Sequence, residues 1–153
     1  MGDLEIFVKT FGGFDLYVDG KLIYFSNSKA KEFFAYLIDR KGNWVTLSQL
    51  AEVLFDSEQD SDQAKKRVHT TFRRLKKTLA ANCVCVDELI MRKRGAYAVK
   101  TERISCDSYD LEKLQSSIMN LFLGEYMPEY SWAEMTLSVL LESYQKQLEQ
   151  SAQ

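Results

Sequence analysis

Lys65, Lys66, Arg67, Arg73, Arg74, Lys76 and Lys77 fall within thirteen residues, and Arg92, Lys93, Arg94 and Lys100 follow them. From 63 to 100 eleven positive residues stand against two negative ones, Asp87 and Glu88, a net of +9. At 100° per residue the first seven share a helix over about 62–81 whose apolar stripe is Ala64, Val68, Phe72, Leu75 and Leu79. Lys66, Thr70, Arg73 and Lys77 are centred opposite that stripe. Lys65, His69 and Lys76 flank one side of the arc, Arg67 and Arg74 the other. A solvated face usually mixes signs, and a nearly all-positive one repels itself unless an anion neutralises it. Arg and Lys suit phosphates and guanine, while Thr70, Thr71 and His69 reach base edges. The chemistry on offer is recognition of double-stranded DNA. The alternative is a protein-interaction module whose basic face binds an acidic partner, and the plain reading is a solubilising face. His69 sits at the margin of the arc, where a packing role competes with a phosphate or base contact.

Other chemistry finds little support. There is one His, and no G-x-S-x-G, P-loop, Rossmann glycine fingerprint or H-E-x-x-H. Carboxylates fall mainly in loops and on polar faces, so no enzyme activity is expected. Cys83, Cys85 and Cys106 are an odd count without a C-x-x-C pair, which fits a reducing compartment. With His69 they have the composition of a Cys₃His zinc site, but buried small hydrophobes are the expectation. No metal or other cofactor is expected. No apolar run approaches the ~20 residues of a membrane span, and Met1-Gly2-Asp3 leads into strand-like sequence without a signal-peptide pattern. A cytoplasmic protein is the expectation.

The elements that must carry the basic residues follow from periodicity. Residues 4–9, 14–18 and 22–25 alternate as short strands, with a tight Asp19-Gly20 turn. Ala30, Phe33, Phe34, Leu37 and Ile38 then mark a helix over 29–40, with Ser28 as N-cap and Gly42 beyond its end. Thr46 and Gln49 form a capping box for a second helix with Leu47, Leu50, Ala51, Leu54 and Phe55 on its apolar face. An acidic loop, 56–62, precedes the basic helix, for which Asn82 is a left-handed stop. Residues 83–86, 89–92 and 96–99 form further strands, with a turn at Gly95. Two helices close the chain, about 108–123 and 131–150, the second with a Ser131–Glu134 capping box.

A family resemblance rests on several of these stretches. Val68-His69-Thr70-Thr71-Phe72-Arg73-Arg74-Leu75-Lys76-Lys77-Thr78-Leu79 resembles the recognition helix of OmpR-type winged-helix regulators, and Arg94-Gly95-Ala96-Tyr97 resembles their wing. Thr10-Phe11-Gly12-Gly13-Phe14-Asp15, Asp19-Gly20-Lys21 and Lys29-Ala30-Lys31-Glu32 resemble the SARP class more specifically. Asp107-Ser108-Tyr109-Asp110-Leu111, Gly124-Glu125-Tyr126-Met127 and Tyr130-Ser131-Trp132-Ala133 are similar to the start of its bacterial transcriptional activator domain.

The resemblance implies an α+β fold: a winged helix-turn-helix domain over 4–101 with an N-terminal antiparallel sheet and a C-terminal wing hairpin, then a two-helix appendage over 104–150. It implies a nucleoid-associated bacterial protein, a sequence-specific double-stranded-DNA-binding transcriptional regulator, an activator, with the 62–81 helix in the major groove and the 89–99 wing on the backbone or minor groove. Carried over by position, Lys66, Arg67, His69, Thr70, Arg73, Arg74 and Lys77 meet bases and phosphates, and Arg92, Lys93 and Arg94 are wing contacts. Asp56, Glu58 and Asp60 then lie in the loop that touches RNA polymerase in OmpR-type proteins. The short helical tail resembles the output ends of two-component response regulators, in which a receiver domain would precede Met1.

The last helix is apolar around more than half its circumference, more than one core face needs. Trp132, Leu137, Leu141, Tyr144 and Leu148 are therefore expected to pack against the same chain or form a homodimer. Trp44 is expected to be a core or inter-domain packing residue, as is Trp132. The whole chain carries −2 with a sequence pI of 5.5, which taken alone speaks against nucleic acid. That average conceals a net of +4 over 1–101 and −6 over 102–153.

Overall fold

The computed structural model describes residues 4–112 and 122–151. Two compact units emerge: Met1–Leu22 with Ile104–Gln153, and Ile23–Arg103. The chain passes from the second unit back to the first between Arg103 and Ile104. The strands of 4–22, however, lie in one unit with the C-terminal segment, because β1 (Ile6–Lys9) pairs with β7 (Ser105–Cys106), far along the chain.

In that first unit β1 (Ile6–Lys9) pairs antiparallel with β2 (Asp15–Val18), in register Ile6↔Val18 to Lys9↔Asp15. Ile6, Val8, Leu16 and Val18 are buried on one face, as strand alternation requires. Asp19 and Gly20 take φ of 50° and 80°, the two left-handed residues a tight hairpin needs. β3 is only Lys21–Leu22, shorter than the expected 22–25. On the other side β7 (Ser105–Cys106) pairs parallel to β1, giving the order β3-β2-β1-β7.

α5 (Asp107–Glu112) follows at once. The buried Asp107 carboxylate accepts from the Thr10 and Phe11 amides at 3.0 and 3.1 Å and from the Thr10 hydroxyl. The expected helix over 108–123 lies mostly outside the described residues. Residues 122–130 return to β1's end: Met127 N donates to Thr10 O at 2.8 Å, and Phe14 N donates to Glu129 Oε2 at 2.9 Å. Ser131–Ala133 is a 3₁₀ turn, so Ser131 lies inside a helical turn instead of capping α6 (Glu134–Ser151).

The second unit is built on α1 (Ser28–Asp39), α2 (Leu47–Leu54) and α3 (Ser61–Ala81). The N-cap of α1 is Asn27, not Ser28: its side chain accepts from Ala30 N at 2.8 Å, and Ser28 is already helical. Thr46 and Gln49 make the capping box of α2 in full. Asp60 caps α3, accepting from Asp62 and Gln63 amides.

Ala64, Val68, Phe72, Leu75 and Leu79 are all buried; Thr71 joins them, donating to Arg67 O at 2.7 Å. Asn82 is not left-handed (φ −111°); Cys83 is, at 65°. The expected strand 83–86 is therefore absent. Val84 and Val86 are buried while Cys83 and Cys85 are exposed, but that alternation belongs to a turn leading into a one-turn helix, α4 (Val86–Leu89). Of the three thiols only Cys106 is buried, and no metal-holding group of side chains occurs among the described residues.

β5 (Ile90–Lys93) and β6 (Ala96–Val99) form a hairpin turned at Gly95 (φ 74°), and β4 (Val45–Thr46) pairs with β6. Phe33 of α1, Phe72 of α3 and Tyr97 of β6 form a ring cluster with centroids 5.0–5.8 Å apart, fixing the hairpin to both helices. No described helix is long and apolar enough to cross a membrane.

Candidate nucleic-acid interface

Because α3 buries one stripe, its other side is committed to solvent. Lys66, Arg67, His69, Arg73, Arg74, Lys76 and Lys77 are exposed, and Thr70 is half-exposed. The Thr70 hydroxyl donates to Lys66 O at 3.2 Å and accepts from Arg73 Nη2 at 3.2 Å, which ties the middle of the basic face together.

The hairpin stands beside that face. A cleft of about 1110 Å³ is lined by His69 and Arg73 of α3 and by Arg92, Lys93 and Arg94 of the hairpin, with Trp44 at its edge. The structure thus brings five of the sequence-derived candidates to one opening. Arg92 lies 5.0 Å from the Phe72 ring centroid and pairs with Asp87 at 3.2 Å. Burial raises the Tyr97 hydroxyl pKa above its ordinary value, against a smaller lowering by Arg92. Lys93 Nζ sits 4.3 Å over the Trp44 ring. Trp44 is 41% exposed, not a core residue as expected, and sequence reasoning missed its partnership with the hairpin lysine. The signal was an aromatic next to a strand that pairs with the hairpin.

Arg67, Arg74, Lys66 and Lys77 leave that cleft and line two other grooves. Arg67 lies 5.6 Å from the Phe55 ring centroid and 3.8 Å from Glu58 Oε2. The acidic loop is thereby drawn toward α3. Glu58 meets Arg67, Asp60 is spent on the cap, and Asp56 is exposed.

In the other unit, Trp132 stacks on Tyr130 at 4.9 Å and Tyr144 meets the Phe122 ring edge at 5.5 Å. Leu140 is buried, Leu137 half-buried, and Leu141 and Leu148 are exposed. Met135 and Val139 are exposed as well.

No known family matches the chain, and no curated protein matches it. Among solved structures, Mycobacterium tuberculosis EmbR, in complex with a low affinity phosphopeptide, has a similar fold at TM-score 0.74 and 15% identity. The match covers 95% of this chain and 44% of that one, so this chain spans less than half of that structure's length. At that identity the likeness is one of fold, and it agrees with the mixed α+β architecture.

Proposed function

We propose that this chain is a transcriptional regulator that binds double-stranded DNA as a winged helix, with α3 in the major groove and the β5–β6 hairpin on the adjoining backbone or minor groove. The observation that carries the reading is the convergence of His69 and Arg73 with Arg92, Lys93 and Arg94 around one open cleft. The order α1, β4, α2, α3, α4, β5, β6 supports it, as does the likeness in fold to EmbR. Lys66, Thr70, Arg73 and Lys77 serve as the base-reading face, and the hairpin cations neutralise phosphates.

Activation through an RNA polymerase contact at Asp56 and Glu58, and a homodimer through α6, extend the proposal. The chemistry asked of the chain is binding, not catalysis. The test is a mobility shift against the promoter of its own gene, at low salt and again at physiological salt. Arg73→Ala is expected to weaken the shift strongly, and equal binding by that variant overturns the α3 assignment. The second reading, an acidic protein partner on the same face, is favoured instead by no shift at low salt together with saturable binding to an acidic polypeptide.

A further inference from the structure

α3 has two flanks, and the hairpin serves only one. On the Arg67–Arg74 flank two grooves meet, of about 530 and 300 Å³, and both are lined by Asn27 and Arg74. Tyr24, Ser26 and Lys77 line the larger, and Lys29, Lys66 and Arg67 the smaller. Neither has a carboxylate among its lining residues, whereas the hairpin cleft includes Asp87. The N-terminus of the twelve-residue α1, capped by Asn27, opens where the grooves join. Tyr24 is 82% exposed, so packing does not explain an aromatic there.

We propose that these joined grooves hold phosphates of the DNA strand that lies across the major groove from the strand met by the hairpin. Tyr24, Ser26 and Lys29 then act as contacts additional to α3. This rests on the DNA reading above. The major groove is about 12 Å wide and a helix with its side chains about 10–12 Å across, so both flanks of an inserted helix come within side-chain reach of a backbone. A hydroxyl and a phenol donate to phosphate oxygens as readily as they do elsewhere in such interfaces. Lys29 pairs with Glu32 at 3.2 Å and Arg67 with Glu58 at 3.8 Å. Both cations are about half exposed, so a phosphate displaces the carboxylate at little cost.

The test uses the full chain and a mixed-sequence duplex, with affinity followed through a salt series. Ser26→Glu sets a carboxylate in the larger groove. It stands one residue before the α1 cap, where negative charge favours the helix dipole, so folding is kept, and a thermal melt checks this. The expected result is binding about tenfold weaker at low salt, with the slope of log K against log salt shallower by about 0.9 for each phosphate that the variant no longer neutralises. Tyr24→Ala, at an exposed position outside any helix, supplies a second variant and shifts binding in the same direction. Parent-like affinity and slope in both variants overturn the proposal and leave the DNA reading standing, because the parent and Arg73→Ala decide that reading separately. A parent chain that binds no duplex at low salt overturns both.

Discussion

Replacing Phe72 by leucine probes the joint between the basic helix and the hairpin. The phenyl ring lies 5.8 Å from Phe33, 5.0 Å from Tyr97 and 5.0 Å from the Arg92 guanidinium. Leucine keeps most of the buried apolar area, so the loss comes from the ring contacts and a small void. Each ring pair is worth about 0.5–1.5 kcal/mol. The Arg92 contact adds about 0.5–1 kcal/mol, since that side chain is 45% exposed. The expected cost is about 1.5–4 kcal/mol, a large part of an ordinary domain's stability but short of unfolding it. Urea unfolding followed by Trp44 fluorescence in a Trp132→Phe background measures it, because Trp44 is then the sole indole and belongs to the same unit. Combining the substitution with Arg92→Ala should recover about 0.5–1 kcal/mol of coupling. DNA affinity should fall too, with a shallower salt slope as the hairpin cations lose their alignment. A cost below about 0.5 kcal/mol refutes the idea that this ring cluster fixes the hairpin, and full additivity with Arg92→Ala refutes the Phe72–Arg92 contact.

Other outcomes follow from local geometry. Thr46→Ala removes half of the α2 capping box and should cost about 1 kcal/mol in the same unfolding assay, while Thr46→Ser should cost much less. In the native state Cys83 and Cys85 should react quickly with a thiol reagent. Cys106, buried and with its pKa pushed up to about 12, should react only on unfolding. Burial holds the Asp107 pKa above its ordinary 3.8, although its hydrogen bonds oppose the shift. The folded chain therefore binds that proton more tightly than the unfolded one. Its contribution is greatest below the ordinary value and declines as pH rises from there to the raised value. In a Trp44→Phe background, unfolding free energies relative to the same chain with Asp107→Asn should fall across that interval when followed by Trp132. A flat difference contradicts the assignment.

Much of the second unit was legible because its signals are local. The apolar stripe of α3 and the Thr46–Gln49 box are set by neighbours within one or two turns, and both formed as expected. Asn27 took the cap expected of Ser28 because both residue types qualify and only the chain's entry angle separates them. The stretch 83–86 misled because Val84 and Val86 alternate as a strand would, while the left-handed backbone at Cys83 leaves no such trace in side-chain pattern. The pairing of β1 with β7 had no local signal at all, since it joins residues about a hundred positions apart. For the basic site, the helix and hairpin cations stood out by charge alone. The roles of Trp44 and Tyr24 did not, because exposure of an aromatic is decided by packing partners elsewhere in the chain.

The parallel pairing of β1 with β7 also sets an order of events during synthesis. Thr10 and Asp107, which bond across that junction, are 97 residues apart. At about 5–20 residues per second, the ribosome delivers the second of them about 5–20 s after the first. Everything from Ile23 to Arg103 emerges in that interval, so the basic unit can reach its native state while the strands before it still lack their partner. A nascent chain that has emerged as far as residue 103 would therefore carry a finished basic unit and an unpaired edge on β1, the kind of edge to which other chains pair.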